Sequence, residues 1–373
     1  MEFGIIIQSP VPKMWRDNPQ AEHQSLMDDL DYAIAAEAAG FKYVWATEHH
    51  FLDEYSHLSE NSVTMGYLAH ATSKIHIGSA IFNPLPQVNH PAKVAERVTM
   101  LDHYSHGRFE FGTGRGAGTH EILGFLPGMR DLGHTREIWE DVIAEFPKMW
   151  LQDEYQGYEG KYWSLPPRKI LPKPYKAPHP AMWYAAGNVD SWEMAGRRGL
   201  GVLGFSVQSL EDLAKVIDRY KKAITTCEPI GAFANDNIMV MGVPFVCADE
   251  KRALELARVP NEYFSSLVYR YHDTFPHPEG VPYWPETLPA PTDDEVTMIA
   301  ASMSPDNALA ACKAWEAAGA DQIVFAPQLM PKADVLESIR LIGEHIIPKL
   351  DTDPVHRTDR LRDAAVAAAA TAE

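Results

Sequence analysis

The chain has 373 residues and a formal net charge of −18. That acidic balance argues against nucleic acid and anionic membrane surfaces as partners, and it leaves room for a small local basic site that holds one phosphate. Hydrophobic residues at 46% and charged residues at 23% are the proportions of a soluble globular protein. Cys227, Cys247 and Cys312 lie far apart with no CxxC spacing, which fits a reducing compartment and offers no thiol metal site. Met1-Glu2 runs straight into Phe3-Gly4-Ile5-Ile6-Ile7, a strand rather than a signal peptide. No apolar run is long enough for a bilayer, so the expectation is a cytoplasmic protein of enzyme size.

The short apolar run 3–8 reads as a buried strand. A helix follows over 22–39, with Leu26, Leu30, Ala33, Ile34 and Ala38 on one face and Gly40 as its stop. The next strand spans 41–46. Further strands are expected at 75–81, 108–112, 181–185, 201–205, 238–246 and from 321. Helices are expected at 60–72, 91–104, 135–150, 190–198, 209–227, 250–258, 305–318 and 332–349. One helix–Gly–strand module recurs: residues 38–46 resemble 317–326, and 194–203 form a looser third copy. About eight strands alternating with helices predict an α/β fold, a closed (β/α)8 TIM barrel with insertions. The rival is a doubly wound open sheet. It usually carries a glycine fingerprint after its first strand, whereas Ser9-Pro10-Val11-Pro12 stands here and cannot cradle a pyrophosphate.

Two segments interrupt the rhythm. Residues 153–180 are rich in Tyr, Pro and Lys and read as a long excursion, with a hairpin as one form. Residues 260–291 carry Tyr263, Tyr269, Tyr271, His272, Phe275 and Trp284 among prolines. Long loops in compact domains are functional or disordered, and aromatic density argues against disorder. The segment is read either as a lid over an apolar substrate or as a packed flap or oligomer contact. The expected organisation is one barrel over 1–350 and a tail over 351–373, the tail a frayed surface helix.

Four constellations carry chemistry. Val44-Trp45-Ala46-Thr47 is a strand end, and Glu48-His49-His50-Phe51 follows where that strand leaves the core. In a parallel barrel this end carries the active site, and an imidazole there can give or take a proton near neutral pH. Side chains alternate along a strand, so one of His49 and His50 is the working imidazole and the other structural. Adjacent histidines rarely chelate one ion and no further ligands stand at matching strand ends, so no metal is expected. The strand at 108–112 feeds Gly112-Thr113-Gly114-Arg115-Gly116, a glycine loop with one arginine suited to a phosphate, or simply a tight turn. Gly187, Asn188 and Ser191 open the helix at 190, which is either an anion site or ordinary N-capping. Gly78-Ser79-Ala80-Ile81 leaves room at a strand end for a flat ring.

Together these residues resemble the bacterial luciferase-like flavin monooxygenase family. The match begins at the first strand and includes 48–51, 78–80, the helix start at His90-Pro91, Leu101-Asp102, 105–108 and Phe111-Gly112 through Gly116. It resumes at 183–199 and in the last helix–Gly–strand, covering about two-thirds of the chain. The resemblance implies a (β/α)8 barrel binding FMN at its C-terminal face. His49 then matches a histidine beside the flavin that supports proton transfer, and Glu48 matches its neighbouring carboxylate, with an orienting role. Ala80-Ile81 matches a non-prolyl cis peptide against the isoalloxazine. Gly114 and Arg115 match the phosphate grip, and Gly187, Asn188 and Ser191 match the second phosphate loop. Ala186 and Gly187 stand where some members carry a carboxylate, and the loop 83–89 is longer than in luciferase. These departures count against light emission and a long-chain aldehyde substrate and leave the flavin site untouched.

The function so implied is a two-component monooxygenase. A separate flavin reductase supplies reduced FMN, and one oxygen atom of O2 reaches a small hydrophobic substrate through a flavin peroxide, by hydroxylation or Baeyer–Villiger insertion. The family also implies a homodimer. The alternatives are a deazaflavin-dependent hydride-transfer oxidoreductase and a flavin-binding protein with no turnover.

Overall fold

The computed structural model describes every residue except 16, 53, 117, 130, 132, 206–208, 259–290, 328 and 373. The candidate lid residues Tyr263, Tyr269, Tyr271, His272, Phe275 and Trp284 therefore lie outside the described residues.

The apolar runs of the sequence become β1 (Glu2–Ile7), β2 (Tyr43–Ala46), β3 (His76–Ser79), β4 (Phe109–Thr113), β7 (Ala181–Ala186), β8 (Gly201–Gly204), β9 (Ile238–Val243) and β10 (Gln322–Phe325). They close into one parallel barrel in the order β1-β10-β9-β8-β7-β4-β3-β2. The expected (β/α)8 architecture is thus the observed one, and the open-sheet rival is excluded by the β1–β2 and β1–β10 ladders that close the ring. The short antiparallel pair β5 (Tyr158–Glu159) and β6 (Ser164–Leu165) makes the hairpin of the 153–180 excursion. The turning glycines of the three module copies, Gly40, Gly199 and Gly319, all take positive φ, at 94°, 69° and 102°. That backbone conformation is cheap only without a Cβ, which is why the module ends its helix on glycine each time.

The barrel wall is packed on both faces. Outside lie α1 (Ala21–Ala39), α2 (Asn61–Ala71), α3 (Pro91–Tyr104), α5 (Gly133–Ile143), α6 (Glu145–Leu151), α7 (Val189–Arg197), α8 (Leu210–Ile224) and the later helices. Inside, Ile6, Tyr43, Trp45, Ala80, Ile81, Trp183, Leu203, Met239 and Val324 form a separate buried cluster. Trp45 fits there because Gly78 lies beneath it, where a Cβ would come within 2.2 Å of the indole ring.

Three expectations change. The helix expected over 135–150 is two, α5 and α6, which divide at Ala144. The glycine loop after β4 gives way to a short helix, α4 (Thr119–Phe125), and a further helix spans Asp293–Ser302. The tail is no frayed surface helix. Arg357–Ala372 crosses the N-terminal end of the barrel with Thr358 and Arg362 buried. Thr358 Oγ1 lies 3.0 Å from Tyr43 Oη, the Arg357 N–H donates to Glu2 Oε1 at 2.8 Å, and Arg362 Nη1 donates to the Gly107 carbonyl at 3.0 Å. A buried guanidinium needs partners, and the Asp102 carboxylate at 3.5 Å and the Lys176 carbonyl are two more, although Arg362 Nε has no hydrogen-bond partner among the described residues.

At this end His76 Nδ1 meets Glu110 Oε1 at 2.7 Å and its Nε2 lies 3.4 Å from Asp359. The His356 ring stacks on His76 with centroids 3.9 Å apart and planes 15° from parallel. His76, His356 and Asp359 thus gather three donor groups, but near-parallel stacked rings cannot both aim an in-plane lone pair at one ion. Lys176 supplies the cation instead, 2.5 Å from Asp359. Among the described residues no helix is long and apolar enough to cross a membrane.

Candidate active site

All eight barrel strands run the same way, so their C-terminal ends meet at one mouth. Four neighbours in the wall, β2, β3, β4 and β7, deliver the sequence-derived candidates to it. Glu48 and His49 follow β2, Ala80 and Ile81 follow β3, Gly114 and Arg115 follow β4, and Gly187 and Asn188 follow β7. Residues 49 and 115 therefore share one end of the barrel.

The two histidines lie in the loop after β2 and differ in burial, His49 buried and His50 half-buried. His50 Nε2 lies 3.2 Å from Glu48 Oε1, and its ring packs edge-on against Phe125. Glu48 Oε1 also accepts from Asn89 Nδ2 at 3.0 Å, so this buried carboxylate is turned toward the 83–89 loop. Burial raises the Glu48 carboxyl above the usual range, against the opposing hydrogen bond from His50. For His50, burial pulls downward, and the hydrogen bond and charge of Glu48 outweigh it, so His50 titrates above its ordinary value. His50 is thus tied to Glu48 rather than to Glu121 through its ring.

His49 is buried and sits edge-on to Tyr55, with ring centroids 5.0 Å apart. Its Nδ1 lies 3.4 Å from Glu121 Oε1 without the alignment of a hydrogen bond, and Glu121 Oε2 is buried with no hydrogen-bond partner among the described residues. Glu121 was not foreseen from the sequence. It belongs to α4, which folds back from β4 so that Glu121 Oε1 accepts the His50 N–H at 2.7 Å. Burial opposes ionisation of Glu121, but the charge and proximity of His49 and the His50 amide hold its carboxyl below the usual range. A carboxylate that stays ionised beside an imidazole can orient it.

The remaining candidates form the rest of the mouth. The Ala80–Ile81 peptide is cis, and both side chains belong to the apolar cluster that fills the barrel interior. Asn61 Nδ2 braces this corner by donating to the Ala46 and Ile81 carbonyls at 3.1 and 3.4 Å. Arg115 is half-buried, and its Nη1 donates to Thr135 Oγ1 on α5 at 2.9 Å. Asn188 is the N-cap of α7, with Oδ1 accepting the Ser191 N–H at 3.0 Å and the Ser191 hydroxyl at 2.7 Å. Ordinary capping is therefore what Asn188 and Ser191 do. The first amides of α7 remain outside the intrahelical ladder, as at any helix start, and can receive an anion. Gly187 before them is exposed, and among the described residues no atom beyond its chain neighbours lies within 4 Å of where its Cβ would stand.

This donor set suits a flat, phosphorylated ring. Among the described residues it combines an apolar floor, a guanidinium, a capped helix start beside open space, and an imidazole whose Nδ1 has no aligned hydrogen bond.

A family model described as luciferase-like monooxygenase matches residues 1–322. The chain belongs to that family and is an enzyme of its class. The oxygenase component of the flavin-dependent trigonelline monooxygenase of Acinetobacter baylyi is 25% identical over 71% of this chain and 70% of its own length. An alkanal monooxygenase alpha chain from the Kryptophanaron alfredi symbiont is 28% identical over 54% of each chain, so the match spans about half of that relative. Among solved structures, the oxygenating constituent of 3,6-diketocamphane monooxygenase from Pseudomonas putida, a type II Baeyer–Villiger enzyme in complex with FMN, superposes with a TM-score of 0.73 at 19% identity, covering 94% of this chain and 98% of that one. An F420-dependent secondary alcohol dehydrogenase superposes at 0.65 with 16% identity, over 92% and 98%. At these identities the solved structures speak for the fold alone.

Proposed function

We propose that the protein is the oxygenase component of a two-component monooxygenase that takes reduced FMN from a separate reductase and transfers one oxygen atom of O2 to a small hydrophobic substrate. The observation that carries this reading is the convergence of His49, the Ala80–Ile81 floor, Arg115 and the α7 N-terminus on one arc of the mouth. The trigonelline relative, described as an oxygenase component, supports the separate reductase. FMN would supply the electrons that activate O2, which no side chain here can do.

The chain's own residues divide the remaining work. Arg115 and the first amides of α7 would hold the phosphate, the one by charge-assisted hydrogen bonds and the other by aligned N–H groups. Ala80 and Ile81 would support the ring on apolar surface and keep water from its underside. His49 would hold or hand over a proton at its ring nitrogens, kept in position by the Glu121 carboxylate and the Tyr55 ring. Glu48 stays out of the chemistry and fixes the 48–50 turn through His50 and Asn89. The family resemblance also implies a homodimer.

The test follows the fate of oxygen. A flavin reductase feeds the protein FMN in the presence of candidate ketones, aldehydes and terpenes, and product is compared with hydrogen peroxide. Oxygenated product is the expected result. Flavin binding with no product from any substrate would favour the non-catalytic reading. Tighter binding of deazaflavin than of FMN would favour hydride transfer, the chemistry of the F420-dependent neighbour.

A further inference from the structure

A second place where recognition chemistry stands open lies outside this cradle. Between the loop leaving β1 and the loop leaving β10, against the first half of α1, a cavity of about 290 Å³ opens at the barrel rim. It shares no lining residue with the arc built on β2, β3, β4 and β7. Trp15, Tyr32, Met330 and flanking prolines give it apolar walls.

Asp29 lines the cavity and is 5% exposed. Its Oδ2 accepts three hydrogen bonds, from the Gln8 N–H at 2.9 Å, the Ser9 N–H at 2.6 Å and the Ser9 hydroxyl at 2.7 Å. Those bonds fix the carboxyl in place. No described residue donates a hydrogen bond to its Oδ1, and Asp29 lines the cavity. Asp28 beside it is differently placed: Lys332 Nζ lies 2.7 Å from Asp28 and 2.5 Å from Asp31, so that ammonium is already engaged. Burial raises the Asp29 carboxyl to about 7, against the lowering pull of Ser9 and Gln8. An acid group balanced near neutral pH in a cleft marks a candidate recognition site.

The chemistry selects the ligand. A cavity of roughly 150 Å³ accepts benzene, so this one has room for a single ring with a short arm. An anion would meet the carboxyls of Asp28 and Asp29. A purely apolar guest would strand Oδ1 away from water without a partner. An ammonium supplies the missing donor in charge-assisted form, and aromatic faces such as Trp15 and Tyr32 add cation–π attraction. We propose that this rim cavity binds an ammonium carried on a single apolar ring, with Asp29 Oδ1 as the acceptor and Trp15 and Tyr32 as walls.

Calorimetric titration of the full-length, flavin-free protein tests this, with benzylammonium as probe and benzyl alcohol as its neutral counterpart. At pH 8 benzylammonium should saturate one site and bind at least about tenfold tighter than the alcohol. Asp29→Asn should weaken the ammonium at least about tenfold, because the amide keeps an acceptor for Ser9 and Gln8 but turns N–H groups to the cavity. Gln24→Trp, at an exposed rim position, should block binding by filling the entrance. Lowering the pH from 8 to 6 should weaken the wild type several-fold as Asp29 takes up a proton, and leave Asp29→Asn flat. The other titratable groups facing this carboxyl, Asp28, Asp31, Tyr32 and Lys332, are the same in both proteins. No saturation up to about 20 mM probe, equal affinity for ammonium and alcohol, or undiminished binding by Gln24→Trp would each overturn the proposal. Should Asp29→Asn fail to fold by circular dichroism, the ammonium–alcohol ratio and Gln24→Trp decide alone. Because flavin is absent throughout, the result is independent of the proposed function.

Discussion

The two ends of the barrel are built on opposite terms. At the N-terminal end the C-terminal helix closes the opening, and charges find opposite charges across the chain: Lys42 with Glu2 and Asp351, Arg362 with Asp102, His76 with Glu110 and Asp359. At the mouth, the His49–Glu121 contact stops short of a hydrogen bond, and Gly187 borders open space. Paired charges hold a fold in one arrangement, whereas incompletely bonded groups beside a cavity are available to a ligand. Parallel barrels commonly divide labour this way, with chemistry at the C-terminal face and stability at the other. Substitutions at the mouth should therefore change turnover and leave stability alone, and substitutions at the closed end should do the reverse.

His49→Ala should give the largest functional loss. Removing a positioned acid–base group lowers rates by about 10² to 10⁴, so product formed per flavin oxidised should fall by that order while FMN affinity holds. Product yield against hydrogen peroxide is the measurement, and unchanged coupling would remove His49 from the chemistry. Arg362→Ala is its counterpart at the closed end. It leaves Asp102 buried with only the Tyr175 and Lys176 amides as donors, and breaking a buried pair costs about 3–5 kcal/mol. Urea unfolding should show that loss, with turnover per folded molecule unchanged. A large drop in turnover without a change in stability would erase the contrast between the two ends.

How far the chain could be read in advance follows the same division. The strands, the turning glycines and the arc from 48 to 191 were legible because each depends on local pattern: apolar runs, glycine at a helix stop, polar residues just past a strand. What escaped depends on partners distant in sequence. Glu121 acts on His50 from 71 residues away, and α4, at seven residues, is too short to show a helical period. The C-terminal helix has an alanine-rich sequence, yet Arg362 reaches Asp102 across 260 residues. Alanine content describes the face toward solvent and is silent on two buried polar anchors.

Arg115→Ala refines the mouth with a smaller expected effect. Losing charge-assisted bonds to a phosphate should weaken FMN by about 1.5–3 kcal/mol, while riboflavin, which has no phosphate, should bind as before. Fluorescence titration of both ligands separates a phosphate grip from a general loss of the site. Equal weakening of both would mean that Arg115 shapes the loop through Thr135 rather than holding an anion.

The smallest expected effect concerns pH, and it sharpens the account of the closed end. Burial works against ionisation of Asp359, but His76 and Lys176 outweigh it and hold the carboxyl well below its ordinary range. Burial also works against a charged His76, and Asp359 and Glu110 outweigh that, so its imidazole titrates above the usual value. His356, pushed down to about 3 by burial and the charge of His76, stays neutral over His76 at ordinary pH. A depressed carboxyl gives stability that is full above its unfolded value of about 4 and is lost as pH falls toward its folded value. A raised imidazole gives stability that is full below its unfolded value of about 6.5 and is lost as pH rises through its folded value. The two ranges overlap at about pH 5–6, so the stability difference between wild type and Asp359→Asn should peak there, at about 1–2 kcal/mol. It should shrink in acid as Asp359 takes up its proton, and shrink in part in base, where His76 is neutral but Lys176 still faces the carboxylate. Urea unfolding of both proteins from pH 3 to 9 gives that curve. A difference that stays level across the range, or grows toward pH 9, would mean that the helix is held by packing and by Lys176, without the imidazolium.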